Sequence, residues 1–182
     1  MDRSFTAGFD PPIESLEGDG VIELTWDVFG ELCRALAVNV SRSYDPDVVI
    51  GIAKAGVIPG AIIASILRRD FFSMKITRRS GAERVYQRPQ LLTAAPTHAR
   101  GQKVLIVDEI CSTGETLRMA LAAVRAVRPA EVRTATSFVK AGRYKPDFFA
   151  VETDAAVVFP WDRQVVGEGG ELVVNPIYRD VI

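Results

Sequence analysis

The sequence predicts a single α/β domain, built on a mainly parallel central sheet with helices on its faces. Three observations carry that expectation. Short apolar runs without polar alternation, such as VVIGIA (Val48–Ala53) and VLIV (Val104–Val107), have the pattern of strands covered on both sides. Segments with helical spacing lie between such runs, and this alternation is typical of parallel order. Finally, 182 residues suffice for one domain with a sizeable core.

Each element follows in turn. Residues 1–22, rich in Gly, Pro and acid, read as an N-terminal arm, and 23–182 as the domain. Thr25 is a candidate N-cap, after which Trp26, Phe29, Cys33, Leu36, Ala37 and Val40 form one apolar stripe. The turn YDPD leads into VVIGIA. AIIASILRR (Ala61–Arg69) reads as the next helix and FFSMKIT (Phe71–Thr77) as a strand. Between about 78 and 102 no period is visible, and a long irregular stretch inside a compact domain is usually functional or mobile. After VLIV comes a helix with Leu117, Ala120, Leu121 and Val124 on one face, stopped by Pro129. The strands VRTATSFV, FFAVE and AAVVF (Ala155–Phe159) follow, and the tail from Gly167 reads as a hairpin or a packed extension.

Composition narrows the function. Hydrophobic residues at 48% and charged residues at 25% are globular values, which argues against disorder. With 22 basic and 23 acidic side chains, no overall field draws in nucleic acid or an anionic membrane. Cys33 and Cys111 lack the spacing of a metal site or disulfide framework, and the single histidine, His98, cannot build a zinc site or a His-based triad. The N-terminal residues lack the apolar core of a signal peptide. The longest apolar run, Gly56–Leu67, is broken by Pro59 and Gly60 and falls short of the roughly 20 residues that span a bilayer. A cytoplasmic protein is expected.

The chemistry centres on KVLIVDEICSTGETL (Lys103–Leu117). In a parallel sheet, ligands bind where strands end and helices begin. Ser112, Thr113, Gly114, Glu115 and Thr116 offer amides and hydroxyls at a helix start, a cradle for phosphate. Asp108 and Glu109 would repel a phosphate. They suit hydroxyls, a cation or a developing positive charge. The loop therefore asks for a ligand with a phosphate at one end and a hydroxylated, cation-forming centre beside it. Neither a Walker loop nor a dinucleotide-binding glycine pattern is present.

VLIVDEICSTGETL closely resembles the ribose-5-phosphate signature of the type I phosphoribosyltransferases, and the resemblance runs from about Trp26 to Asp162. It implies that residues 112–116 hold the 5-phosphate of phosphoribosyl pyrophosphate (PRPP). Asp108 and Glu109 would then be catalytic, holding the ribose hydroxyls and stabilising an oxocarbenium-like transition state. GIAKAGVIPG (Gly51–Gly60) resembles the pyrophosphate loop, so Lys54, Ala55 and Gly56 would bind the diphosphate, in a segment where the family frequently has an unusual cis peptide. The basic run KITRRSGAERVYQRP resembles the lid, with Arg78, Arg79, Arg84, Tyr86 and Arg88 closing over the site within residues 78–102. SFVKAGRYKPDFFA and VVFPWD resemble the base region and metal-proximal loop of 6-oxopurine enzymes. They give Lys140 and the backbone near Val157 a base-binding role, and Asp162 an approach to Mg2+.

The resemblance further implies a small hood region, a nucleobase as second substrate, Mg2+ as cofactor, and a homo-oligomer, dimer or tetramer. Two positions depart from the 6-oxopurine pattern: Ser112 stands where an aspartate is usual, and Ala156 where a base-stacking aromatic is usual, with Trp161 nearby. A PRPP-sensing binding protein without base transfer is the alternative reading. Cys111 reads as a buried filler near a helix start.

Overall fold

The computed structural model of the chain describes residues 20–80, 83–84 and 86–179, with backbone alone at 79–80 and 83–84. Its centre is a six-stranded sheet in the order β6-β3-β2-β7-β8-β9. The strands are β2 (Val48–Ala53), β3 (Asp70–Thr77), β6 (Gln90–Thr93), β7 (Lys103–Cys111), β8 (Glu131–Val139) and β9 (Phe148–Glu152). All neighbours run parallel except β6, which lies antiparallel on the β3 edge. Helices α1 (Trp26–Ser43) and α2 (Val57–Leu67) cover one face, and α3 (Glu115–Ala126) covers the other.

The unalternating strands now have their physical reason. Leu105 and Val107 enter the core under α1 and α2, while Val104 and Ile106 enter the core under α3, so successive side chains all leave water. Thr25 caps α1 by accepting from the Val28 amide at 3.3 Å. The buried stripe of α1 is Phe29, Leu32, Cys33, Leu36, Ala37 and Val40. Leu32, absent from the expected stripe, belongs to it, and Trp26 does not: it is 56% exposed and meets Trp161 at 5.9 Å. A first-turn residue at the rim has neighbours on one side only.

Three further elements differ from expectation. Helix α2 begins at Val57, ahead of AIIASILRR, because Pro59 falls in its first turn, where no amide partner is required. Strand β7 runs past VLIV, carrying Asp108 and Glu109 to Cys111, because β8 pairs with it as far as Cys111↔Val139. AAVVF contributes β10 (Ala156–Val158), which leaves the central sheet and pairs in parallel with β1 (Val21–Glu23).

The stretch from 78 to 102 contains the short antiparallel pair β4 (Arg79–Ser80) and β5 (Glu83–Arg84), the edge strand β6, and a 3-10 turn at Thr97–Ala99. His98 in that turn stacks on Phe72 at 4.7 Å. The tail forms a hairpin, β11 (Gln164–Val166) with β12 (Leu172–Val174). No helix among the described residues is long and apolar enough to cross a membrane.

Two aspartates fasten the N-terminal edge of the sheet. Asp47 accepts from the Lys103 amide at 2.8 Å and donates its own amide to the Lys103 carbonyl at 2.8 Å. Asp147 accepts from the amide and hydroxyl of Thr134 at 2.7 and 2.8 Å, and its amide donates to that hydroxyl at 3.1 Å.

Candidate functional site

At the opposite edge of the sheet, Arg78 and the run from Asp108 to Leu117 line a cleft of about 510 Å³. The acids and the hydroxyl-rich loop thus share one cavity. Gly114 adopts φ 77°, a left-handed conformation that glycine tolerates best, and passes the chain from β7 into α3. Helix α3 has no side-chain N-cap. The Glu115 amide meets Thr113 Oγ1 at 3.4 Å, while the amides of Ser112, Thr113 and Thr116 have no protein acceptor among the described residues. Donors at a helix start, left open, are suited to an anion.

Asp108 is buried, its Oδ1 accepts the neighbouring Glu109 amide at 3.2 Å, and the Glu109 carboxyl lies beside it. Burial, and then the charge of Glu109, hold its carboxyl well above the ordinary carboxylate range. A cation or a set of hydroxyls arriving beside it would relieve that cost.

The loop Lys54–Gly56 is brought against this acid. A Cβ at Gly56 would lie 2.7 Å from Asp108 Oδ1, 2.7 Å from the Ile52 carbonyl oxygen and 2.8 Å from that of Val107. Only glycine allows the two loops to close so tightly. Lys54 is exposed, and the Ala53–Lys54 peptide bond is cis.

Lys140 lies at the end of β8, where its amide donates to the Cys111 carbonyl at 3.0 Å. Its Nζ donates to the Asp154 and Ala155 carbonyls at 3.0 and 2.5 Å. An ammonium has three protons to donate, so one is left. Along β10, the bonds to the β1 region use Ala156 and Val158, which turns the Val157 amide and carbonyl to the other edge of the strand. Ala156 is half-buried beside it.

Arg78 forms an ion pair with Glu115 across the cleft mouth. Tyr86 bonds through its amide to the Arg78 carbonyl at 3.0 Å, and Arg88 is exposed; neither lines the cleft. The Arg79 and Arg84 side chains lie outside the described residues. Asp162 is engaged elsewhere: its carboxylate accepts from Asn175 Nδ2 at 3.0 Å and Tyr178 Oη at 2.9 Å, tying down the tail. Trp161 faces the core, stacked on Phe159 at 4.7 Å and edge-on to Phe29 at 4.8 Å, and so does not stand in for an aromatic at position 156. Cys111 is buried, which pushes its thiol up, and Cys33 is pushed up to about 12 by the same cause.

Sequence reasoning missed Gly56 as a point of close approach, and it missed Arg118 and Tyr144 altogether as parts of the phosphate loop. Arg118 Nη1 donates to the Thr113 carbonyl at 3.3 Å. The spacing from Gly114 to Arg118, one helical turn, was the available signal.

An α/β sheet with open amides and paired acids at its C-terminal edge defines a phosphoribosyl-binding protein, and residues 24–169 match the phosphoribosyl transferase domain. The chain belongs to that family and is an enzyme of the glycosyltransferase type, using PRPP as donor. A xanthine-guanine phosphoribosyltransferase of Nitratidesulfovibrio vulgaris is 30% identical over 148 residues, covering 80% of this chain and 86% of that protein. Another of that name, from Gluconobacter oxydans, is 27% identical over 160 residues, covering 86% and 89%. Among solved structures, a purine phosphoribosyltransferase from Pyrococcus horikoshii superposes with a TM-score of 0.69 at 27% identity, over 81% of this chain and 98% of that one. The binding-only alternative is not favoured by these relatives.

Proposed function

We propose that the chain transfers the phosphoribosyl group of PRPP to a ring nitrogen of a 6-oxopurine, releasing pyrophosphate. The observation that carries the reading is the single cleft holding both the open amides of Ser112, Thr113 and Thr116 and the acids Asp108 and Glu109. In this arrangement the 5-phosphate sits on the start of α3, the ribose hydroxyls face the acids, and the diphosphate lies along Lys54–Gly56 beside Asp108. The base nitrogen forms its bond to the ribose C1′ as the bond from C1′ to the diphosphate oxygen breaks. The electron pair leaves with the diphosphate, and the nitrogen's proton is lost to solvent. Positive charge that develops on the ring is met by carboxylates already in place.

The spare proton of Lys140, whose Nζ is anchored on the Asp154 and Ala155 carbonyls, supports recognition of a carbonyl oxygen on the base. The names of the curated relatives and of the Pyrococcus enzyme point to the same substrate class. Arg78, released from Glu115, and the basic residues Arg79, Arg84 and Arg88 with Tyr86 would close over the bound donor.

The family generally uses Mg2+ with PRPP. Among the described residues no three metal-ligating side chains form a cage. Mg2+ takes one or two carboxylates and completes its shell with phosphate oxygens and water. Asp108 and Glu109 would hold it, whereas Asp162 would first have to leave Asn175 or Tyr178. When bound, the ion neutralises charge on the leaving diphosphate.

The test is pyrophosphate release from PRPP and Mg2+ with hypoxanthine, guanine, xanthine, adenine, uracil or orotate. Release with the 6-oxopurines alone is expected. Release only with another base would move the acceptor, and PRPP binding without release would restore the binding-only reading.

A further inference from the structure

The loop after Lys140 touches the phosphate loop through a residue that the chemistry above does not use. Tyr144 lies in that loop, between β8 and β9. A Cβ built on Gly114 would stand 2.4 Å from its Cγ and 2.6 Å from both its Cβ and Cδ1. The ring therefore occupies the volume that any side chain at position 114 would need. On the same ring, the Arg118 guanidinium carbon lies 4.8 Å from the centroid, a cation over an aromatic face. Arg118 also donates to the Thr113 carbonyl, so the residue that grips the ring grips the loop. Below them, the Cys111 thiol donates to the Tyr144 carbonyl at 3.5 Å, while the Lys140 amide donates to the Cys111 carbonyl.

The consequence is mechanical. An open cradle of amides binds phosphate well only if the amides already point at it, since a flexible loop must be ordered at the moment of binding. Glycine at φ 77° is the least restrained residue that could stand at the turn. The Gly114 amide bonds to Cys111 and the Glu115 amide meets Thr113 Oγ1, but α3 offers no side-chain cap, and further restraint comes from outside the loop.

We propose that Tyr144 is a positioning residue for the phosphate loop, its ring wedged against Gly114 under Arg118 so that the amides of 112–116 are held toward the ligand. The proposal rests on the reading that this loop takes the 5-phosphate of PRPP. It adds that loop geometry is set by the base-side segment.

The test uses the full chain, with ribose 5-phosphate as probe and calorimetric affinity as readout, alongside steady-state kinetics and melting temperature. Tyr144→Ala is expected to weaken ribose 5-phosphate binding by at least about tenfold and to raise the KM for PRPP in step, with kcat little changed. Tyr144→Phe keeps the ring and is expected to behave as the parent does. A purely structural role would lower the active fraction, and hence apparent kcat, while leaving KM and probe affinity alone; that outcome overturns the proposal. Should Tyr144→Ala fail to fold, Tyr144→Leu decides by the same two readouts. If the parent chain itself binds neither ribose 5-phosphate nor PRPP, the phosphate-loop reading fails and the wedge fails with it. Parent binding that Tyr144→Ala or Tyr144→Leu leaves unaltered sinks the wedge alone.

Discussion

The two edges of the central sheet carry the same residue type in opposite circumstances. Where β2 and β9 begin, Asp47 and Asp147 accept backbone amides at 2.8 and 2.7 Å, and each returns a bond through its own amide. Where β7 ends, buried Asp108 accepts from the adjacent Glu109 amide, with the Glu109 carboxyl beside it. Carboxylates of the first kind are structural, each exposed at the rim and tied through its Oδ2 to the neighbouring strand. Those of the second kind are left for something the protein does not contain. Buried polar groups are nearly always answered within the protein, so a largely buried acid that lines a cleft beside a second acid marks the ligand's place more reliably than its position in a motif.

Breaking the C-terminal pair tests this contrast most severely. Asp108→Asn with Glu109→Gln should lower turnover by about a thousandfold or more, with far-UV circular dichroism preserved and the melting temperature not lowered. Retained turnover would remove the acids from the chemistry. Next in size is Gly56→Ala. The new Cβ would press on Asp108 Oδ1 and on two backbone carbonyls, which cannot swing aside as a flexible side chain would. A fall in kcat/KM of about a hundredfold is expected from a displacement of this order. Activity equal to the parent would mean that the two loops need not touch.

The N-terminal edge should answer differently. Asp147→Ala leaves the Thr134 amide and hydroxyl without their acceptor, a loss of about 1–3 kcal/mol. At roughly 2–4 °C per kcal/mol for a chain of this size, the melting temperature should fall by several degrees. Turnover per folded molecule should hold. If turnover fell while stability held, the two edges would not differ as described.

Much of this was legible before any coordinates. The strands VVIGIA and VLIV could be read because burial on both faces erases alternation, and the acid pair could be placed beside the STGET loop because strand ends and helix starts meet at that edge of a parallel sheet. Other features could not be read, for physical reasons. Pairing with β8 extends β7 through Asp108 and Glu109, and pairing is a property of the neighbour. AAVVF carries a strand pattern that says nothing of which sheet it joins. Asp162 looked free to take a metal, yet Asn175 and Tyr178, far along the tail, hold it. Trp26 obeyed the helical spacing and still lies exposed, because a rim position has no second wall. In each case the deciding partner was distant in sequence.

The smallest effect sharpens the comparison furthest, because it separates stability from function at one atom. The Asp108 carboxyl is held above its ordinary range in the folded chain, by burial first and by Glu109 second. A group raised in this way contributes stability that is fully present below its unfolded pKa, about 4. That contribution is lost as pH rises through the folded value. Asp108→Asn has no charge to bury and loses nothing. Its melting temperature should therefore match the parent's near pH 4 and exceed it at pH 7–8, by less than Asp147→Ala costs. Differential scanning calorimetry of both chains across that range, without ligand, measures the gap. A parent that gained on the variant as pH rose would mean that the acid is satisfied within the fold, as Asp47 and Asp147 are, and the contrast between the edges would be gone.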